Sequence, residues 1–401
     1  MRVKGKNRGF RIALVVWLVL LSGALSSIAT MMLMGNPGYA LPPGNELPDR
    51  YKRLSQIRQI VMDSYYQEAD DAALLDGAAH GMLYALEDPY TFYYNAEEMK
   101  AMTEHSGGQY YGVGIQVVVD PHDSLITVTR VFEGGPAGEA GLLSGDKIVA
   151  VEGVPVTGYE LDYTINTLKS KRKEPVNVSI KRGESVLSFD LQRAQVVINR
   201  IEYEMLEEGI GYIVIYEFMG DDVNGFENAL TSLKSQGMRA LVLDVRQNPG
   251  GMLDHVVAIA DILIPEGLIV YTKNRQGRQM ELNSSGEGLG LPMALLVDGM
   301  SASASEVLAG ALQDYGTAVI VGQTTFGKGI VQTVIPFDDG AGMQLTTSAF
   351  YTPKGRSIHK TGITPDVEVA QPEREDIVTP LSRDEDAQLQ KAIEIVAGMI
   401  D

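Results

Sequence analysis

The feature that most constrains the fold of this chain is a strand–helix–strand pattern between residues 293 and 328. The apolar run Met293–Val297 predicts a buried strand, and residues 298–300 predict a turn. Residues 303–313 predict a helix that begins with small residues. Residues 317–321 predict a second buried strand. The chain therefore carries a compact unit in which both strands are buried.

Two residues of this unit have the types and positions that nucleophilic catalysis needs. Ser303 starts the predicted helix, where free backbone N–H groups and the helix dipole favour a developing oxyanion. Lys328 follows 25 residues later, at the end of a buried strand, where loss of water lowers a lysine pKa towards the range of a useful base. The same residues also fit a helix N-cap and a surface charge, and their spacing alone does not separate the two interpretations.

A second strand–loop–helix segment precedes this unit. Residues 240–244 predict a buried strand, residues 247–251 form a loop with two glycines, and Leu253–Leu263 predicts a helix. Such a loop presents backbone amides to an anion, which suits an oxyanion. A phosphate site and an ordinary turn remain alternatives.

Charge and composition exclude several classes of function. The five charged residues among residues 1–40 are all basic, so the remainder carries 28 basic and 52 acidic residues, a net charge of −24. Nucleic acid is therefore not an expected partner. The chain has no cysteine, which excludes disulfides and thiolate metal sites, and no metal-ligand spacing joins His80 and His105.

The N-terminus predicts export from the cytoplasm. Basic residues precede an almost uncharged stretch, residues 12–34, which as a helix of about 34 Å spans a bilayer. The positive-inside rule then puts Ala40 and everything after it outside the cytoplasm. We expect a membrane anchor over residues 1–40, with a cleaved secretory signal as the alternative.

Residues 41–106 predict a helical domain, and residues 107–195 change to short β-rich runs with Gly and Pro turns. The order of the glycine motifs at 111–115, 135–142 and 145–148 resembles a PDZ domain of the bacterial protease type. A PDZ domain pairs an extended peptide with a strand edge and binds its terminal carboxylate through backbone amides. The expected carboxylate-binding residues are Gly112, Val113, Gly114 and Ile115.

Several later segments, in order, resemble the carboxy-terminal processing peptidases, the tail-specific serine proteases. The resemblance covers residues from about 50 to the end, and its motifs lie at 244–251, 301–314, 325–332 and 345–355. It implies an α/β multidomain protein with a crotonase/Clp-protease-like core over residues 196–375. A C-terminal helical tail, residues 376–401, would pack on the core or on a second copy in a homodimer.

The resemblance also implies the roles of individual residues. Ser303 would be the nucleophile, Lys328 the general base and Gln332 the residue that positions the lysine. The backbone amides of Gly251 and Ala304 would form the oxyanion hole. The family pattern gives Asp314 a supporting position and requires no cofactor or metal. The expected substrates are proteins with free C-terminal tails.

Three rival functions follow from the same residues. Residues 322–329 almost form a nucleotide-binding P-loop, but Gly329 replaces the Ser or Thr that holds magnesium, and a strand pattern follows. A serine–histidine hydrolase could use His255 or His359, although no Gly-x-Ser-x-Gly motif surrounds Ser303. The third rival is a catalytically inactive PDZ adaptor that only binds tails.

Overall fold

The computed structural model describes residues 49–106, 109–170, 172–372 and 381–400. The expected membrane anchor, residues 1–40, lies outside the described residues. Within the described ranges, no helix is both long enough and apolar enough to cross a membrane.

The N-terminal region is a pair of helices that leads to a strand of the large domain. The elements are α1 (Asp49–Ser64), α2 (Asp71–Tyr84), β1 (Phe92–Tyr94) and α3 (Ala96–Ser106). The Asp70 carboxylate caps α2 by accepting from the amide of Ala72 at 2.9 Å. The predicted helical character of this region is confirmed, and a break after Ser64 divides it into two helices.

The next region forms a separate small β domain. Its strands and helices are β2 (Gln109–Gly112), β3 (Ile115–Val119), β4 (Ile126–Val131), α4 (Pro136–Glu139), β5 (Lys147–Val151), β6 (Val154–Pro155), α5 (Leu161–Leu168), β7 (Val176–Arg182), β8 (Ser185–Leu191) and β9 (Ala194–Val197). β3, β4, β5, β7 and β8 form one antiparallel sheet, β6 pairs with β5, and β2 pairs with β9. Alternate strand residues such as Val176, Val178 and Ile180 are fully buried in the domain's own core.

The large domain is built on two sheets. Its elements are β10 (Ile201–Met205), β11 (Ile210–Ile215), α6 (Asp222–Ser235), β12 (Ala240–Asp244), α7 (Leu253–Leu263), β13 (Pro265–Asn274), β14 (Gln279–Glu287), β15 (Met293–Val297), α8 (Ala304–Tyr315), β16 (Val319–Gly322), β17 (Ile330–Pro336), β18 (Gly342–Tyr351), β19 (Val367–Glu368) and α9 (Ala387–Ala397). The first sheet has the order β10-β11-β12-β15-β16-β19 and is parallel except for β10. The second contains β1, β18, β13 and β14, with β17 paired to β18.

The two faces of the parallel sheet bury different helices. Leu241 and Leu243 of β12 face a core that includes residues of α6, α7 and α8. Val242 faces the opposite side, where it packs with Leu389 and Val396 of α9. Strands covered on both faces are typical of parallel sheets, and β12 and β15 are buried along their whole length. The C-terminal helix therefore packs on the core, and the mixed α/β expectation is confirmed.

Candidate active site

Ser303 occupies a strained turn between β15 and α8. Its backbone has φ +55° and ψ −113°, in the positive-φ region that residues other than glycine rarely adopt. The side chain is buried, with 2% of the residue exposed. Such a backbone persists only where its surroundings hold it, and it is common at functional sites. The helix observed at Ala304–Tyr315 begins one residue later than predicted, so Ser303 is its N-cap.

The glycine loop after β12 packs directly against this turn. Gly251 has φ +145°, and a Cβ there would lie 2.1 Å from the Phe218 carbonyl oxygen. A Cβ at Gly250 would lie 2.8 Å from Ser303 Cβ and 3.0 Å from the Ala304 amide nitrogen. Glycine is therefore required at both positions, because it alone permits this close approach. Gly251 and Ala304, which the family resemblance implies as the oxyanion donors, both line the same small cleft.

Asn248 fixes the loop to the serine turn, a role that the sequence analysis missed. The amide of Ala302 and the hydroxyl of Ser305 donate to the Asn248 carbonyl oxygen, at 3.1 and 3.0 Å. The Asn248 side chain donates to the Ile215 carbonyl and accepts from the Gly250 amide, both within 2.8 Å. Its side chain thus binds two backbone groups of neighbouring segments, which holds the shape of the loop.

Lys328 is a fully buried lysine. None of its surface is exposed, and among the described residues its Nζ has no hydrogen-bond partner. Burial lowers the pKa of Lys328 from 10.5 to about 7, against the opposing attraction of the Glu306 and Asp88 carboxylates. A substantial fraction of Lys328 is therefore neutral near pH 7 and able to accept a proton.

Glu306 connects the turn that holds Ser303 to the segment between β16 and β17 that carries Lys328. Its Oε2 accepts from the amides of Ser303 at 2.9 Å and Lys328 at 2.8 Å. Its Oε1 accepts from the hydroxyl of Thr325 at 2.6 Å and the amide of Gly327 at 2.7 Å. Burial raises the pKa of Glu306, and these four donors oppose that rise. Glu306 is the N3 residue of a capping box at the start of α8, and its bonds to residues 325–328 reach beyond that helix.

Gln332 lies on β17, the strand that follows Lys328, and it forms no hydrogen bond to Lys328 Nζ. Its Nε2 is 3.4 Å from Thr346 Oγ1 and 3.5 Å from the Ile330 carbonyl oxygen. In the structure β17 begins only at Ile330, and its pairing with β18 shifts register between Val331 and Gln332. Lys328 therefore lies outside the strand that carries Gln332.

Tyr90 brings the N-terminal region to the same site. Its ring centroid lies 5.1 Å from Lys328 Nζ, within the range of a cation–π contact. The sequence alone assigns no functional role to the turn that carries Tyr90. No local sequence signal joins this turn to Lys328, because the contact depends on the pairing of β1 with β18.

Asp314 lies at the far end of α8 from Ser303. Its Oδ2 accepts from the Lys354 amide at 2.8 Å, and its Oδ1 accepts from the Arg356 side chain at 2.5 Å. These bonds attach the segment after β18 to α8. Asp314 therefore holds the segment after β18 against α8, and it does not contact the serine in this structure.

The cleft beside Ser303 is apolar. Hydrophobic side chains from α7, α8, β17 and β18 surround Ser303 and Gly251, and the lining consists of Gly251, Leu253, Ser303, Ala304, Val307, Val331 and Phe350. A small apolar group fits such a cleft better than a charged one, because a charge would lose its hydration there.

The residues expected to bind a tail carboxylate lie where β2 ends and β3 begins. Gly114 has φ +87° and packs against Gly135, 3.1 Å from the position of a Cβ. The Val113 and Gly114 carbonyls accept from Ala137 and Phe132, which fixes the loop against α4 and its preceding turn. Ile115 opens the strand that runs beside this loop.

The two rival active sites lack the required geometry. Lys328 is followed by strand β17, whereas a P-loop needs a helix at that point. His255 Nδ1 contacts the buried Asp222 carboxylate, and among the described residues neither His255 nor His359 forms a hydrogen bond to Ser303. In the same part of the chain, no group of three His, Cys, Asp or Glu side chains is arranged to hold a metal ion.

Three family models match the chain. Residues 209–369 match peptidase family S41, residues 127–182 match the PDZ domain, and residues 40–98 match the N-terminal domain of the activating protease CtpB. The first two matches lie within the large domain and the small β domain described above.

Curated relatives and solved structures agree with these matches. The chain is 34% identical to the carboxy-terminal-processing protease of Bartonella bacilliformis, over 82% of this chain and 77% of that protein. It is 30% identical to the carboxy-terminal processing protease CtpA of Bacillus subtilis, over 89% and 77%. The structure of a photosystem II D1 C-terminal processing protease has 28% identity and a TM-score of 0.53, over 90% and 94%.

Proposed function

The chain belongs to peptidase family S41 and is a serine peptidase of the carboxy-terminal-processing type, and from this premise we propose that Ser303 and Lys328 form its catalytic dyad. The observation that carries the proposal is the environment of Lys328. A fully buried amine with its pKa lowered to about 7 is a competent base at neutral pH. Glu306 joins it to the turn that holds the serine.

The proposed reaction begins when neutral Lys328 takes the proton of the Ser303 hydroxyl. The serine oxygen attacks the substrate carbonyl, and the oxyanion that forms accepts hydrogen bonds from the amides of Gly251 and Ala304. Each such donor contributes about 3 kcal/mol to the transition state. Protonated Lys328 then returns its proton to the leaving amine, and water hydrolyses the acyl-enzyme by the same steps.

One movement completes the proposed geometry. Among the described residues Lys328 Nζ has no hydrogen-bond partner, and in the proposed reaction it approaches Ser303 Oγ when substrate binds. Catalytic hydrogen bonds are often long without substrate and shorten in the complex. Gln332 is the proposed partner that holds the amine in that position. Leu253, Val307 and Phe350 favour a small apolar side chain next to the bond that is cut.

We propose that the small β domain captures the substrate's C-terminal tail before the cut. The amides of residues 112–115 would bind the terminal carboxylate, and the open edge of β3 would pair with the tail. Capture of one end raises the local concentration of the tail at the active site. The alternative, an inactive tail-binding adaptor, would use the same domain without the dyad.

Location and assembly follow from features outside the active site. The basic residues before the apolar stretch 12–34 support export, with the enzyme held on or released from the outer face of the membrane. α2 buries none of its residues, and apolar side chains of the first two helices are exposed, among them Leu54, Ile60 and Leu75. Such a surface supports a homodimer formed through these helices.

The test compares two forms of one unstructured tail, one with a free carboxylate and one with a C-terminal amide. We expect the protein to cut the free tail faster, and S303A to bind it with unchanged affinity while cutting nothing. Equal rates for the two forms would remove the capture step. Binding without cleavage by the unmutated protein would favour the adaptor.

A further inference from the structure

The turn between α2 and β1 is attached to the catalytic domain on the side of Lys328. The Asp88 carboxylate accepts from the Tyr90 amide at 3.0 Å and from the Thr91 hydroxyl at 2.7 Å. These bonds close the turn on itself. These internal bonds alone stabilise the conformation of the turn, without any contact to the large domain.

Two bonds from β18 then fix the turn in place. The Gln344 side chain donates to the Tyr90 carbonyl oxygen at 3.0 Å, and the Thr346 amide donates to Thr91 Oγ1 at 3.1 Å. Phe92 pairs with Gln344 where β1 joins the sheet. Tyr90 is therefore held from both sides, and its ring lies over Lys328 with the centroid 5.1 Å from Nζ.

We propose that Tyr90 is a positioning residue for Lys328. The face of the Tyr90 ring attracts the Lys328 ammonium group and excludes water from it. The proposal rests on the proposed function, in which Lys328 is the base. The N-terminal region then completes the active site as well as extending the sheet. A tyrosine ring over a desolvated cation stabilises it, because the ring face is negative.

Other charged groups near the Lys328 amine also change its pKa, each in a direction that follows from its charge. Glu306 on α8 and Asp88 in the turn both attract a proton to Lys328, while burial opposes it. His359 lies on the segment after β18, and the Asp88 carboxylate attracts a proton to His359 as well. None of these groups is a hydrogen-bond partner of Nζ in the described chain. The ring is thus a close electrostatic contact that substitution can remove without changing a formal charge.

The two functions of the ring have opposite effects on the Lys328 pKa. The attraction of the ring face favours the ammonium and raises the pKa, whereas exclusion of water disfavours the ammonium and lowers it. Y90L fills the space and keeps water out, so it removes only the attraction. Y90A opens the space to water, so it restores hydration. The ring hydroxyl is not required for either effect, and Y90F preserves both.

The experiment is a carbon-13 NMR titration of the full chain carrying labelled lysine, in an S303A background that cannot digest itself. The Lys328 resonance is assigned by its loss in K328R. We expect Y90F to leave the midpoint of the Lys328 titration unchanged. Y90L should lower this midpoint by about 1 pH unit, and Y90A should raise it. Y94L, which removes another partly buried tyrosine of the same region, serves as the matched control and is expected to leave the midpoint unchanged.

This readout separates the inference from the proposed function. Midpoints that are the same in Y90L and in the background would overturn the role of Tyr90, whatever the enzyme cleaves. Cleavage that persists in K328A would instead overturn the dyad. A thermal melt of each variant confirms that the titrated species is folded.

Discussion

The buried carboxylate of Glu306 accepts a hydrogen bond of 2.8 Å from the backbone amide of Lys328. The same oxygen accepts from the amide of Ser303 at 2.9 Å, so one atom connects the two residues of the proposed dyad. Any change in the Glu306 side chain is therefore transmitted to both of them.

Glu306 provides the first prediction. In E306Q the side-chain nitrogen of the glutamine faces N–H donors and cannot accept hydrogen bonds from them. The Ser303 turn and the segment 325–328 therefore separate. We expect kcat to fall at least about tenfold with little change in KM, and the free energy of unfolding to fall by about 2 kcal/mol. Steady-state kinetics and urea unfolding measure both. E394Q, at an exposed position of α9, is the control, and an equal loss in that variant would contradict the account.

Lys328 provides a prediction about stability. Its pKa is about 7 in the folded chain and near 10.5 when unfolded, so the unfolded chain binds one more proton between these values. Stability therefore rises with pH across this window, and the cost of the buried charge is greatest below pH 7. We expect K328M to be more stable than the unmutated chain by about 5 kcal/mol at pH 6 and by much less at pH 10.

Urea unfolding at the two pH values checks this, with K354M as a control at an exposed lysine. A stability gain of equal size at pH 6 and pH 10 would show that Lys328 is not the group that titrates.

Gly251 provides a prediction about the oxyanion loop. G251A places a methyl group 2.1 Å from the Phe218 carbonyl oxygen and strains a backbone with φ +145°. The loop must move, and we expect kcat/KM to fall by about a hundredfold or more. G299A adds the same group where the nearest atom is 4.0 Å away, and it should retain activity. The idea fails if G251A cleaves the tail at the rate of G299A.

Asp386 provides a prediction about the C-terminal helix. It caps α9 through the Leu389 amide at 3.0 Å and pairs with Arg246, which also binds Asp244. D386A leaves Arg246 with one carboxylate and removes the cap, so we expect a loss of about 3 kcal/mol in unfolding free energy. Hydrogen exchange over Ala387–Ala397 should increase. D384A, at an exposed neighbouring position, should change neither quantity.

The sequence predicted those elements whose hydrophobic pattern is strong and local. Leu253–Leu263 is helical over the predicted range, because its apolar residues recur with helical spacing on one buried face. The start of the helix at Ser303 was predicted to within one residue in the same way. The positive φ of Ser303 was not predicted, since the turn packs against Gly250 of a distant loop, a contact that local patterns do not encode.

What the sequence could not predict depends on distant contacts. Glu306 reaches residues 325–328 only because β16 returns the chain beside α8. Tyr90 reaches Lys328 through the pairing of β1 with β18. The register shift at Gln332 arises from a bulge that leaves no clear mark in the sequence. Each is a relation between elements, which periodicity within one element does not encode.

The most direct test of the dyad is mass spectrometry of an unstructured protein with an apolar C-terminus after incubation with the purified chain. S303A and K328A are run beside it under the same conditions. The account predicts fragments only from the unmutated chain, with small apolar residues at the new C-termini and a rate that rises with pH around a midpoint near 7. Fragments produced by K328A, or a rate independent of pH, would contradict a lysine base.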